Sequence, residues 1–211
     1  MWQAVSYYMV LMFEALLGVF GIRLYEEPRY QVIDRIGDRV EIRRYAPRLA
    51  AEVVVPLAGD DARSQAFRLL FAYIAGANRA AAAGHDRIAM TMPVKLQDQA
   101  RIAMTVPVRT AELQGRVRMQ FFLPSAYRFD NAPTPLDARV GLVQLGTETA
   151  AILRFSGTGR DAARKQSDLL AKLEGSRWRP AAAPYTFFYD APFTLPFLRR
   201  NEAAVPVIET R

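Results

Sequence analysis

The order of strand-like and helix-like segments restricts the fold of this chain more than any other feature. Short runs of alternating apolar and polar residues, typical of strands, surround only two segments with helical periodicity, at about residues 60–76 and 161–174. Strands, a helix and further strands thus occur twice in succession, which excludes an alternating βαβ pattern. The pattern predicts an α+β fold: a distorted, mostly antiparallel β-barrel of two pseudo-symmetric halves with two outer helices.

The strand boundaries follow from turn residues and prolines. An internal repeat, Ile-Ala-Met-Thr-x-Pro-Val, begins at Ile88 and again at Ile102, and each proline is expected to end a strand because it cannot donate to a ladder. Asp60 or Asp61 is expected to cap the first helix. The predicted strands are 30–36, 40–45, 49–57, 87–94, 101–108, 117–123, 139–145, 149–155, 185–189 and 203–208.

The first 25 residues form an apolar segment ahead of a single domain predicted over residues 26–211. Glu14 is the only charged side chain in residues 2–22, and a helix of that length spans the apolar layer of a bilayer. Because arginines follow this segment, we expect membrane association with the domain on the cytoplasmic side; the periplasmic side is the alternative. A helix that docks on its own domain or on a partner is the other interpretation of this segment.

Composition excludes several function classes. The chain has 211 residues, 51% of them hydrophobic, and a net charge of +7 from scattered basic residues, so no specific nucleic-acid partner is expected. Cysteine is absent, which excludes disulfides, thiolate catalysis, zinc ribbons and iron–sulfur clusters. His85 is the only histidine. The composition does not determine the oligomeric state.

The two predicted helices differ in their apolar surface. The second has one apolar stripe, enough to cover one sheet face. The first has an apolar arc of about 200°, which is more than one sheet contact needs. The N-terminal segment, a loop or a ligand is expected to cover the excess. In the first helix the predicted core stripe is Phe67, Leu70, Phe71 and Ile74, with Ala62, Ala66, Leu69 and Tyr73 beside it.

An ordered set of motifs resembles the SOUL family of haem-binding proteins over about residues 28–208. The doubled Met-Thr-x-Pro-Val resembles the bacterial members in particular. The motifs are Tyr30-Gln31-Val32, Glu41-Ile42-Arg43-Arg44-Tyr45, Phe67 through Asn78, the two repeats, Phe121-Phe122-Leu123-Pro124-Ser125, Phe155-Ser156-Gly157, Tyr189-Asp190-Ala191-Pro192 and Arg199-Arg200-Asn201-Glu202.

This resemblance implies haem or a related tetrapyrrole, bound without a covalent bond and exchangeable, in a shallow apolar groove. The groove would lie beside the first helix and near the loop before Arg199. A porphyrin needs broad apolar contact for its faces and cations for its propionates, and Arg68 is a candidate propionate partner. The implied binding residues are Arg68, Ala72, Tyr73, His85, Phe193, Leu195 and Phe197.

His85 could ligate the haem iron, and an exposed loop histidine is its alternative role. The predicted function is transport, buffering or sensing of the tetrapyrrole, without enzymatic activity. One alternative is an iron-free module that binds a small effector or a protein, since the two-half architecture also resembles the effector domains of some bacterial regulators. A tetrapyrrole-modifying enzyme is the third possibility, although the sequence shows no convergent acid–base pair.

Overall fold

We describe a computed structural model of the chain over residues 26–56, 58–79, 102–190 and 194–210. The predicted membrane segment, residues 2–22, lies outside these ranges. Within them, no helix is long and apolar enough to cross a membrane.

The first half of the chain supplies six strands and one helix. A hairpin opens it, and its turn passes through Gly37 at φ +55°, a conformation that favours glycine. The elements are β1 (Tyr30–Ile36), β2 (Val40–Tyr45), β3 (Arg48–Val55), α1 (Gly59–Ile74), β4 (Asn78–Arg79), β5 (Val108–Leu113) and β6 (Arg116–Phe122).

The second half repeats the order of strands, helix and strands. The 3₁₀ turn Pro196–Leu198 precedes its last strand. The elements are β7 (Thr134–Pro135), β8 (Gly141–Leu145), β9 (Glu148–Phe155), α2 (Ala162–Leu173), β10 (Trp178–Pro180), β11 (Tyr185–Phe188) and β12 (Asn201–Glu209).

One curled sheet contains most of these strands, in the order β1-β2-β9-β12-β11-β5-β6-β3-β8, and all its pairs are antiparallel. The order is mirrored about the junction of β11 and β5, where Thr186 pairs with Thr110. On one side of that junction come β11, β12, β9 and β2; on the other come β5, β6, β3 and β8. The predicted α+β fold, with a barrel-like sheet and two outer helices, is confirmed.

Three apolar clusters fill the layers. Helix α1 packs on β3 and β6, and α2 packs on β9 and β12, so both helices lie on the convex side of the sheet. The third cluster lies on the concave side and is rich in aromatic rings, including Phe122, Tyr185 and Phe187. The convex side therefore carries the two helices, and the concave side is enclosed by the curl of the sheet.

Two local predictions are wrong. A strand was predicted over residues 101–108, but regular pairing begins only at Val108, and Thr105 makes an isolated bridge with Glu26. Alternation and a closing proline suit an irregular segment as well as a strand. Helix α1 also lacks the predicted cap: Ala58 is its N-cap residue, while Asp60 and Asp61 lie within the first turn. There they still favour the helix through its dipole. The predicted strand at 87–94 lies outside the described residues.

Candidate functional site

The outer face of α1 exposes a large aromatic side chain. Phe71 is 49% exposed and stacks on Phe67, with ring centroids 6.0 Å apart and an angle of 13° between the ring planes. The half-buried Phe67 in turn contacts Phe121 of β6 edge-on, at 5.4 Å. A ladder of rings thus runs from the sheet to the solvent along one side of the helix.

This arrangement corrects the predicted core stripe of α1. Phe71 was placed in the core, but the helix is rotated so that the small side chains of Ala62 and Ala66 face the sheet instead. Small residues allow close approach to β3 and β6, which turns Phe71 outward. The residues of α1 that are buried are Ala62, Ala66, Leu70, Tyr73 and Ile74.

Arg68 and Ala72 lie beside Phe71 and are both exposed. Residues 68, 71, 72 and 75 share one face because they are three or four positions apart on the helix. In the described part of the chain, Arg68 has no ion pair. The face therefore combines an aromatic ring, two small alanines and a guanidinium without an ion pair to any described residue, which suits an anionic ligand with a flat apolar body.

Tyr73 is not part of this face. Its side chain is 1% exposed, and its hydroxyl donates to the carbonyl of Pro133 at 2.8 Å. Burial raises the pKa of Tyr73 above its ordinary value, so the hydroxyl stays protonated. The structure thus brings Arg68 and Ala72 together and places Tyr73 beneath them, in the core.

The loop before β12 also exposes apolar side chains. Phe197 is 71% exposed, and Leu195 and Leu198 are each 37% exposed. The 3₁₀ turn is held to the end of β9, because the backbone N–H of Gly157 donates to the carbonyl of Pro196 at 2.9 Å. Phe193, the other predicted loop residue, lies outside the described residues.

His85, the predicted iron ligand, also lies outside the described residues, so its role stays a prediction. Within the ranges that the structure describes, no group of three or more His, Asp or Glu side chains could hold a metal ion. The described residues alone therefore do not specify a protein-coordinated metal centre.

A buried charged network, which the sequence reasoning did not foresee, lies on the concave side. Glu202 of β12 is 0% exposed and accepts from Arg43 at 2.9 Å, from the Tyr189 hydroxyl at 2.7 Å, and from Arg200 at 2.9 and 3.0 Å. Arg200 also pairs with Glu27 at 3.2 Å. Every carboxylate oxygen of Glu202 is thus engaged. The sequence signal that was available is strand alternation, which places Arg43 on the same, inward side of β2 as Tyr45.

The contacts within this network determine which of its groups are charged. Burial disfavours the charge of Arg43, but the carboxylate of Glu202 and the neighbouring Tyr45 together outweigh this and raise the pKa of Arg43 above its ordinary value. Burial, with the same carboxylate beside it, raises the pKa of Tyr189. Tyr189 therefore remains a hydrogen-bond donor and the two arginines remain charged. This arrangement stabilises the fold and offers no group poised for proton transfer.

A second ion-pair cluster closes the other end of the concave side. Glu148 pairs with Arg48 at 2.6 Å and with Arg109 at 3.1 Å. The guanidinium of Arg109 lies 3.6 Å from the ring centroid of Tyr185, and that of Arg48 lies 4.6 Å from the centroid of Tyr45. A guanidinium is attracted to the face of an aromatic ring. Arg48 and Arg109 are therefore held by contacts within the protein, as the arginines around Glu202 are.

Two clefts open near these networks. The Phe129 cleft, about 540 Å³, lies between residues 26–29, 46–49 and 122–130 and is lined partly by Phe122 and Phe129. The Arg39 cleft, about 580 Å³, lies over β1, β2, β9 and β12 and is lined mainly by charged side chains. Both volumes are in the range of small-molecule sites.

Comparison with known proteins gives a family and a fold. A family model described as SOUL heme-binding protein matches residues 25–206. No curated protein sequence matches the chain.

Solved structures share the fold at low sequence identity. The C-terminal domain of EcmrR is 9% identical with a TM-score of 0.59, over 86% of this chain and 99% of that chain. A protein from Listeria innocua described as a hydrolase encoded by lin2189 is 12% identical with a TM-score of 0.52, over 81% and 92%. An uncharacterized conserved protein from Listeria innocua is 10% identical with a TM-score of 0.51, over 89% and 95%. At these identities the likeness concerns the fold alone.

Proposed function

The chain belongs to the SOUL heme-binding protein family, and from that premise we propose that it binds haem or another tetrapyrrole reversibly and without a covalent bond. The bound tetrapyrrole would be transported, buffered or sensed rather than chemically changed. The observation that carries the proposal in this chain is the stacked aromatic pair on α1, in which Phe71 is half exposed on the outer face.

Phe71 and Phe67 suit one face of a porphyrin. A stacked ring pair with half of Phe71 in solvent offers a flat apolar surface, and aromatic rings favour offset stacking on other π systems. The neighbouring Ala72 has a short side chain, which lets a large ring system approach the helix closely. An occupant covering about 200 Å² of apolar surface here would gain about 5 kcal/mol before the cost of association is subtracted.

Arg68 would pair with a propionate. Its guanidinium is exposed on the same face and has no ion pair among the described residues. A guanidinium can hold a carboxylate through two parallel hydrogen bonds. Leu195 and Phe197 would supply further apolar contact from the loop before β12, which also exposes its large side chains. Tyr73 would support the site indirectly, by fixing the helix on the core through Pro133.

His85 remains the proposed candidate for an axial iron ligand. Because it is the only histidine, a bis-histidine spectrum would need two protomers or an added ligand. His85→Ala should shift the Soret band if the imidazole ligates iron. An unchanged spectrum with unchanged affinity would remove His85 from the site and leave groove binding without a histidine bond.

Membrane association through residues 2–22 is likewise a proposal. Full-length protein should sediment with membranes, and a chain beginning near Glu26 should not, since that change removes the nearly uncharged segment. Full-length protein found wholly in the soluble fraction without detergent would contradict it.

The direct test is to purify the full chain from a haem-replete host and record its absorbance spectrum and the mass of any bound ligand. A Soret band and an intact tetrapyrrole mass support reversible binding. A chemically altered tetrapyrrole would support a modifying enzyme instead. Absence of a Soret band, even after titration with haem, would favour the iron-free effector module, for which the charged Arg39 cleft is the supporting observation.

A further inference from the structure

The Arg39 cleft is rich in arginine. Five arginines and three acidic residues line its volume of about 580 Å³. It lies over β1, β2, β9 and β12, on the concave side, where Ile152 forms part of its floor. The tetrapyrrole face proposed above is on the convex side, on a helix that packs over β3 and β6. The two places are on opposite sides of the sheet.

Three of the five arginines are held by carboxylates. Arg43 and Arg200 both pair with the fully buried Glu202, at 2.9 Å each. Arg43 also pairs with Glu41 at 2.7 Å, and Arg35 pairs with the same carboxylate at 3.0 Å. The charges of these three arginines are therefore largely compensated.

Arg39 and Arg154 are different. Val40 pairs with Leu153 across β2 and β9, so Arg39 and Arg154 occupy neighbouring positions on the two strands. Both are exposed, and neither has an ion pair within the described ranges; Asp38, the third acidic residue of the lining, pairs with neither of them. Like charges at facing positions of adjacent strands destabilise a sheet, so this pair costs stability unless an anion lies between them.

We propose that the Arg39 cleft binds a small anion with two carboxylate or phosphate groups, at a site separate from the tetrapyrrole. Arg39 and Arg154 each bind one anionic group, since guanidinium groups pair with carboxylate and phosphate through parallel hydrogen bonds. Glu202 does not repel the ligand, because two arginines and the Tyr189 hydroxyl already engage its oxygens. Among the described residues of the lining, only Ile152 and Tyr30 have uncharged side chains, so the cleft suits a polar anion better than a porphyrin ring.

The test uses isothermal titration of the full chain with inorganic pyrophosphate and, separately, with succinate. The variants are Arg39→Gln, Arg154→Gln and the double variant. Arg44→Gln is the matched control, because Arg44 is exposed on the same strand β2 but shares the face of Ile42, which packs against α2 on the opposite side of the sheet from the cleft. All variants lie at exposed positions, and thermal melting verifies that they fold.

We expect saturable binding of one probe by the wild-type chain, and whichever probe binds identifies the anionic group as phosphate or carboxylate. The double variant should bind that probe at least about tenfold more weakly, as charge-assisted hydrogen bonds are lost, while Arg44→Gln stays within about twofold. Haem affinity, measured by Soret titration, should be unchanged in the double variant.

Three results would overturn the inference. The first is no saturable binding of either probe by the wild-type chain. The second is an equal loss in Arg44→Gln, which would show a response to net charge alone. The third is a parallel loss of haem affinity in the double variant, which would make the cleft part of the tetrapyrrole site. The first two leave the proposed tetrapyrrole function untouched, so failure of one proposal is distinguishable from failure of the other.

Discussion

Helices α1 and α2 occupy matching places in the two halves, yet they present different surfaces to solvent. The two helices align with an offset of 100 residues, so that Leu69-Leu70 of α1 corresponds to Leu169-Leu170 of α2. In each helix this pair packs against the sheet. The outer positions do not match: Phe67, Phe71 and Ala72 of α1 correspond to Ser167, Ala171 and Lys172 of α2.

This comparison separates what the fold requires from what function requires. The inner faces agree because both helices must cover the same kind of sheet surface. The outer face of α2 exposes no large apolar side chain in the described structure, whereas α1 leaves Phe71 half exposed. A half-exposed aromatic side chain on only one of two matching helices is the difference that supports the proposed ligand on that half.

The concave side shows the same asymmetry with charges. Thr186 and Thr110 pair at the centre of the mirrored order. The residue after Thr186 is Phe187, which pairs with Glu202 of β12, and the residue after Thr110 is Ala111, which pairs with Arg118 of β6; Glu202 and Arg118 therefore occupy corresponding positions. Glu202 is fully buried in a saturated network, but the side chain of Arg118 is 52% exposed and only 3.9 Å from Glu52. One half therefore places a structural ion network where the other places a solvated charge.

The largest expected effect tests this charge comparison. Glu202→Ala should lower the free energy of unfolding by about 3 to 5 kcal/mol, because it leaves Arg43 and Arg200 buried without their carboxylate. Arg118→Ala should lower it by less than about 1 kcal/mol, as exposed ion pairs contribute little. Urea unfolding measures both. Similar losses at the two positions would mean that the halves are equivalent after all.

A smaller effect is expected on haem affinity from charge on the helices. Ala72→Glu should weaken haem binding by about 1 to 3 kcal/mol, through repulsion of propionates and desolvation of the new carboxylate. Lys172→Glu, at the matching position of α2, should leave affinity within about twofold. Soret titration measures both, and unfolding should be nearly unchanged because both positions are exposed. Equal losses would show that only net charge matters.

The smallest effect concerns apolar contact. Phe71→Ala should weaken haem binding by about 1 kcal/mol, since it removes one stacking surface and leaves Phe67 in place. Phe129→Ala provides the control, because Phe129 is 63% exposed but lines the other cleft. If Phe129→Ala weakens haem binding more than Phe71→Ala does, the tetrapyrrole lies in the Phe129 cleft.

Much of the fold could be predicted from the sequence, because strand alternation and helical periodicity directly reflect which side chains face the sheet. The hairpin of β1 and β2 and both helices lie close to their predicted positions. The strand predicted at residues 101–108 lies instead at Val108–Leu113. The charged residues Arg109 and Glu112 interrupt the apolar pattern there, and the sequence has no clear boundary where the strand begins.

The candidate site was less predictable for physical reasons. The orientation of α1 depends on how closely Ala62 and Ala66 approach the sheet, which periodicity does not reveal, so Phe71 was placed in the core. The Glu202 network depends on contacts between residues far apart in sequence, such as Arg43 and Tyr189. Register, rather than composition, brings these groups together.

The most direct test of the central claim is ¹⁵N NMR of the chain titrated with Fe(III) haem, with a diamagnetic zinc porphyrin as control. A paramagnetic iron broadens the signals of nearby amides, so the residues whose amide signals lose intensity show where the iron lies. If the tetrapyrrole binds the outer face of α1, amides around Arg68 to Ala75 lose intensity with haem, while those around Ser167 to Leu173 of α2 keep theirs. Broadening centred on α2, or on Tyr127 to Asp130 of the Phe129 cleft, would contradict the account.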